Sequence, residues 1–368
     1  MFKLLVKILC SLLLLLSILV VYFLYQKAQK HYLAQYDLVT PVIFNIKGKE
    51  ITEYEKKLFR KANPFGFIIF GYNISSERQV KKLVKDLRSI FPERKIYITI
   101  DQEGGRVDRL KKIIADPEKL VKKAVYYGDL AEKDLAKARA ELYQDARFTA
   151  KILKDLDFDI NFAPMADLIF FKHNIAADNQ EISWAATDER SYSADPEIVT
   201  ALAKEFMQAM QAEGIMVSLK HAPGIGRGFT DSHDTEAIIA ASLTELQTKD
   251  FKPFRELREY TNFMMVGHAT YTNLTKLPAS MSPEIIDLIK NDIGFNGLLF
   301  SDALNMEALA DYDYEERVNV ILANNIDIII PNYLPYIHTI TAIKAIPEER
   351  LVAFNQRLQE LGLLKNQQ

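Results

Sequence analysis

Eight short runs of apolar, mostly β-branched or aromatic residues recur along the chain, and stretches with helical spacing separate most of them. The runs are Val42-Ile43-Phe44, Phe67-Ile68-Ile69-Phe70, Ile96-Tyr97-Ile98-Thr99-Ile100, Phe158-Asp159-Ile160-Asn161-Phe162, Ile215-Met216-Val217-Ser218-Leu219, Phe263-Met264-Met265-Val266, Gly297-Leu298-Leu299-Phe300 and Ile326-Asp327-Ile328-Ile329-Ile330. Near-continuous apolar strands of this kind belong to parallel sheets covered on both faces. Between them, Thr52 to Ala62, Ser76 to Ile90, Leu130 to Leu156 and Tyr314 to Asn324 read as helices, with Val80, Leu83, Val84 and Leu87 marking one face of the second. Asp195-Pro196-Glu197 and Ser282-Pro283-Glu284 supply an N-cap followed by proline at the first helical position. Eight such units predict an α/β protein, a (β/α)8 TIM barrel, as a single domain over residues 36–368.

Residues 1–35 read differently. From Ile8 to Tyr25 the chain is apolar except for Cys10, Ser11 and Ser17, and Lys3 and Lys7 precede it. That length approaches the ~20 residues needed to cross a bilayer, and no small-x-small cleavage pattern follows it. One N-terminal transmembrane helix that anchors the barrel to a membrane is expected, with a removed signal peptide as the alternative. Lys3 and Lys7 on one flank balance Lys27 and Lys30 on the other, and the extra N-terminal amine favours a domain on the non-cytoplasmic side, with a cytoplasmic-facing domain as the alternative.

With 368 residues, 49% hydrophobic, 26% charged and a net charge of −3, the chain carries no basic excess that would call for a nucleic-acid partner. Its single cysteine, Cys10, forbids an intrachain disulfide. A monomeric catalytic domain is expected.

In a barrel of this kind the chemistry sits at the carboxyl ends of the strands. Here those ends carry Asp101, Asp167, Lys220-His221, Gly267-His268 and Ser301-Asp302. Three candidate stretches have a bland reading: Asp302 as the N-cap of a helix starting near Asn305, Asp101 to Arg106 as a Gly-Gly turn, Asp188 to Tyr192 as a surface salt bridge. Asp231 and His233, two apart, either pair to hold a proton-donating imidazole or merely brace a loop. The shared location of the polar strand ends favours the chemical reading. Six histidines without H-x-x-x-H or H-E-x-x-H spacing make metal-dependent hydrolysis the disfavoured rival, so the metal-ligand set is read as none. No P-loop or dinucleotide fingerprint is present, and no cofactor is called for.

Ile100-Asp101-Gln102-Glu103-Gly104-Gly105-Arg106-Val107, Phe162-Ala163-Pro164-Met165-Ala166-Asp167, Glu189-Arg190-Ser191-Tyr192, Lys220-His221 with Pro223-Gly224, Asp231-Ser232-His233 and Ser301-Asp302-Ala303-Leu304-Asn305-Met306 together resemble the glycoside hydrolase family 3 β-N-acetylhexosaminidases. The resemblance runs from about Pro41 to the C-terminal helices. It implies Asp302 as nucleophile, His233 as general acid/base supported by Asp231, and Asp101, Arg190, Lys220 and His221 as binders of a terminal sugar. It also implies a carbohydrate substrate, N-acetylglucosamine linked in peptidoglycan fragments, hydrolysed with retention. Ala222 and Ile225 depart from the family pattern, which has phenylalanine and a second histidine there. Ala237 stands near a proline the pattern usually carries. Loss of an imidazole that met a substrate hydroxyl is expected to weaken binding by ~1–3 kcal/mol.

Overall fold

The computed structural model describes residues 38–170, 189–228, 237–332, 336–344 and 346–364, together with Ser17 and Tyr22. Apart from those two residues, the apolar run from Ile8 to Tyr25 lies outside the described residues, as do Asp231 and His233. Among the described residues no helix is long and apolar enough to cross a membrane.

Eight parallel strands close into a barrel: β1 (Thr40–Asn45), β2 (Pro64–Ile68), β3 (Tyr97–Ile100), β4 (Ile160–Asn161), β5 (Met216–Ala222), β7 (Phe263–Val266), β9 (Leu298–Ala303) and β10 (Ile328–Ile330). Two further strands, β6 (Ile238–Ile239) and β8 (Thr270–Tyr271), pair with each other outside it. The chain is a (β/α)8 TIM barrel, as the periodicity predicts.

Side chains alternate along most of the strand residues, and the two faces bury two apolar clusters. Ile43, Phe65, Tyr97, Ile160, Phe263, Met265, Leu298, Phe300, Ile328 and Ile330 fill the barrel interior. Val42, Phe44, Ile98, Ile100, Val217, Leu219, Met264, Leu299 and Ile329 point outward and pack under the helices. The interior is close-packed aromatic: Phe65 stacks on Tyr97 at 4.6 Å and Phe263 on Phe300 at 5.1 Å. Carried on by twos, the inward set of β3 leads from Tyr97 to Asp101, that of β9 from Leu298 to Asp302, and that of β5 from Met216 to Lys220. Strand parity therefore aims all three into the mouth.

The opposite end is shut. The C-terminal helix Glu348–Glu360 lies across it, where Asn355 exchanges two 2.9 Å hydrogen bonds with the backbone of Val39. Tyr97 Oη donates to Leu363 O at 2.7 Å. The open mouth lies at the carboxyl end.

Three expectations are corrected. The helix predicted from Leu130 to Leu156 is two helices, Ala124–Ala131 and Leu135–Asp155, because Asp134 caps the second by accepting from Lys137 N at 3.0 Å. Strand β2 starts at Pro64, ahead of the apolar run, because Gly66 admits β3: a Cβ there would lie 2.4 Å from Tyr97 O. Strands β5 and β9 extend to Ala222 and Ala303, so Lys220, His221 and Asp302 sit on strands rather than on the loops after them. The predicted N-caps at Asp195 and Ser282 both form. Asp302 caps no helix; its Oδ1 accepts from Ala303 N at 2.7 Å, and the next helical turn is Glu307–Leu309.

Helix Ala124–Ala131 presses Gly128 onto the segment that carries Arg190, and a Cβ on Gly128 would lie 1.6 Å from Tyr192 O. Gly128→Ala is expected to destabilise the protein by about 1–3 kcal/mol or more through overpacking. A denaturant midpoint equal to that of the wild type would contradict this packing.

Candidate active site

A cavity of about 400 Å³ opens at the mouth. Phe162, Met265 and Ile330 form its apolar base, and Asp101, Glu103, Arg190, Lys220, His221 and Asp302 its polar wall. The two cations are buried and held by one carboxylate. Arg190 grips Glu103 bidentately, Nε to Oε2 at 2.7 Å and Nη2 to Oε1 at 2.8 Å. Lys220 Nζ lies 2.5 Å from Glu103 Oε1 and 2.7 Å from Asp101 Oδ1. Burial alone would push the Glu103 carboxyl up, but the charges and hydrogen bonds of Arg190 and Lys220 outweigh it and hold the group far below the usual carboxylate range. Burial likewise opposes the charge on Lys220 and Arg190, and the facing carboxylates hold both above their ordinary values.

A second line of contacts ends at Asp302. Asp167, wholly buried, accepts His221 N at 3.0 Å, the His221 ring at Nδ1 at 2.9 Å, and Ile225 N at 2.8 Å. A carboxylate offers only acceptors, so the His221 proton sits on Nδ1 and Nε2 faces Asp302 Oδ2 at 3.7 Å. Behind Asp302, burial lowers the pKa of His268, whose Nδ1 meets Ser280 Oγ at 2.7 Å.

Of the residues singled out in the sequence, Asp101, Arg190, Lys220, His221 and Asp302 converge on this cavity. The surface-salt-bridge reading fails for Arg190, which is buried, and describes its neighbour Glu189, paired with Lys123 at 2.8 Å. The Gly-Gly turn is real, with φ of 93° at Gly104 and 58° at Gly105, and it is what swings Glu103 under the cations. Ile225 does not line the cavity; its side chain packs in the apolar core, with Cγ2 3.1 Å from where a Cβ on Gly267 would lie. Sequence reasoning missed Glu103, the anchoring role of Asp167, and Arg109, which lines the cavity with a buried Nε that has no hydrogen-bond partner. The readable signal for Glu103 was its two-residue spacing from Asp101.

Residues 32–361 match the profile of the glycosyl hydrolase family 3 N terminal domain. The chain belongs to glycoside hydrolase family 3. A β-hexosaminidase of Tolumonas auensis is 31% identical over 297 residues, 79% of this chain and 82% of that one. One from Stenotrophomonas maltophilia is 30% identical over 269 residues, 73% of this chain and 75% of that one. Among solved structures, native NagZ from Neisseria gonorrhoeae superposes with a TM-score of 0.74 at 27% identity, covering 87% of this chain and 90% of that one. The same protein has been solved in complex with N-trifluoroacetyl-D-glucosamine. The family 3 chain is thus a glycoside hydrolase of the β-N-acetylhexosaminidase type, with a carbohydrate substrate.

Glu103→Gln leaves two buried cations facing an amide and is expected to cost about 3–5 kcal/mol of stability. Because the folded pKa of Glu103 lies below its ordinary value of 4.5, its contribution is complete above that pH and lost as pH falls below it. Urea titrations between pH 7 and pH 3 should therefore show a steeper acid loss in the wild type than in Glu103→Gln. Parallel curves would remove Glu103 from this role.

Proposed function

We propose that this family 3 enzyme is a retaining exo-β-N-acetylglucosaminidase that removes terminal N-acetylglucosamine from peptidoglycan-derived saccharides. The observation that carries the reading is Asp302 at the end of β9, facing a closed-bottom cavity of about 400 Å³ whose wall already holds Asp101, Arg190, Lys220 and His221. That volume is at the small end of ligand cavities and suits one sugar residue. The shut base makes the mouth the exit for everything beyond that sugar, which is exo action.

In the proposed chemistry an Asp302 oxygen attacks the anomeric carbon as the glycosidic C–O bond breaks, and His233, oriented by Asp231, gives its proton to the departing oxygen. Water then attacks the glycosyl ester; His233 takes its proton, and Asp302 leaves as a carboxylate with configuration retained. Two features support a place for His233 at the mouth. Its loop starts at the Ile225 N–H held by Asp167, and it returns at β6, which pairs with β8. Lys220, Arg190 and Asp101 bind sugar hydroxyls by charge-assisted hydrogen bonds.

We also propose that residues 8–25 anchor the barrel, residues 36–368, at a membrane with the barrel on the non-cytoplasmic side. The apolar length of that run supports this reading.

An aryl β-N-acetylglucosaminide assay should show Asp302→Ala slower by on the order of 10⁴-fold. Equal turnover by wild type and variant would eliminate the nucleophile, and detection of the α-anomer as first product by NMR would eliminate retention. His233→Ala should lose far more rate on a disaccharide than on an aryl glycoside with a good leaving group, since only the former needs a proton donor. Uniform loss would argue against proton donation. For the anchor, the full-length protein should stay with membranes after an alkaline wash, and a C-terminal reporter active only outside the cytoplasm should light up. Release by the wash, or a silent reporter, would refute the corresponding half.

A further inference from the structure

The cavity has an aromatic rim that the proposed roles leave unused. Phe70, at the carboxyl end of β2, lines the cavity, and Tyr72 stacks on it with ring centroids 5.7 Å apart and planes 20° from parallel. Tyr72 is nonetheless 53% exposed, so one side of the stacked pair is offered to solvent.

An exposed tyrosine on a loop is ordinary; one held fixed is less so. Residues Gly71–Asn73 form a single 3-10 turn. Asn73, wholly buried, accepts Phe70 N at 2.9 Å and donates to Ile46 O at 3.0 Å and Gly48 O at 2.6 Å, which nails the turn to the end of β1. Asn45 Nδ2 donates to Tyr72 Oη at 3.4 Å and sets the ring's rotation. Gly71 lies beside Arg109, whose Cδ is at ordinary contact distance, 3.6 Å, from where a Cβ on Gly71 would be, so cavity wall and aromatic pair form one continuous surface. Core packing does not need a half-exposed ring, but a ligand does. Tyrosine presents a large apolar face at little entropic cost, because only two side-chain torsions must be fixed.

We propose that Phe70 and Tyr72 form a stacking platform for the leaving-group sugar, a binding site just outside the cavity that takes the apolar face of a second pyranose ring. This rests on the exo-glycosidase reading: the cavity closes over one sugar, so the next ring of the substrate emerges at the rim. The platform adds ground-state affinity for a disaccharide and contributes nothing to a monosaccharide.

The test uses full-length wild type, Tyr72→Ala and Tyr72→Trp, with N,N′-diacetylchitobiose as substrate and N-acetylglucosamine as competitive inhibitor. Tyr72→Ala should raise KM for the disaccharide about 3- to 10-fold, the size of one aromatic contact, with kcat changed by less than about twofold. Inhibition by N-acetylglucosamine should be unaltered, and Tyr72→Trp should restore the low KM. An unchanged KM, or equal weakening of disaccharide and monosaccharide, would overturn the platform. Calorimetry on the Asp302→Ala background separates the two readings. If the wild type hydrolyses neither the disaccharide nor the aryl β-N-acetylglucosaminide, the glycosidase reading falls. The platform survives that outcome if Asp302→Ala binds the disaccharide more tightly than the monosaccharide and the added Tyr72→Ala abolishes the difference; without that difference it falls too.

Discussion

Two cations are buried at the mouth of the barrel, and Glu103 is the carboxylate that touches both. Taking a guanidinium and an ammonium out of water is costly, and only a carboxylate in direct contact with both offsets the loss. Glu103 uses both oxygens for Arg190 and shares one of them with Lys220, which in turn holds Asp101. The four side chains come from a turn after β3, from the segment before helix Pro196–Ala212, and from β5. The ion cluster thus joins three parts of the rim and fixes the cavity-facing donors in place. Preorganised charges need little rearrangement at the moment of reaction, which is where electrostatic catalysis gains most.

Asp167 does for His221 what Glu103 does for the cations. Three donors converge on its two oxygens, and the imidazole is left with one orientation and one tautomer. Its Nε2 then faces Asp302, while His268 closes the other side as a buried ring whose charged form burial disfavours. In the proposed chemistry a cation packed against Asp302 from that side would compete for the electrons of the attacking carboxylate; a neutral ring does not.

The barrel was legible because strands covered on both faces leave uninterrupted apolar runs, and each of those eight runs overlaps an observed strand, although the fourth does so only at Ile160-Asn161 and the eighth only at Ile328 to Ile330. Phe67 to Phe70 shows where such reading stops: β2 begins with Pro64-Phe65-Gly66, residues that spell a turn until the close approach of Tyr97 O is known. Polar strand ends fail in the opposite sense. Lys220 to Ala222 and Ser301 to Ala303 look like loop, yet Ala222 pairs with Val266 and Ala303 with Ile330, so the ladder carries them. The site was legible as types of residue at strand ends, and illegible as pairs. Arg190 and Glu103 stand 87 positions apart, and nothing local says that a guanidinium will be buried against a carboxylate that remote.

The stretch 220–228 shows how a departure from a family pattern is to be weighed. Ile225 contributes its backbone N–H to Asp167, while its side chain lies in apolar packing beside Gly267. Ala222 is likewise buried among apolar side chains. Neighbouring contacts fix the backbone here regardless of those side chains: Tyr271 Oη donates to Gly224 O at 2.9 Å, and Arg227 Nε reaches both Asp250 oxygens, at 2.9 and 3.1 Å. Asp250 is buried deeply enough to push its carboxyl up to about 6 even beside that guanidinium. The loop root is therefore set by backbone groups and by a buried ion pair. The two substituted positions leave the charges that line the cavity where they are, so in the proposed function recognition of the first sugar rests on the ion cluster around Glu103.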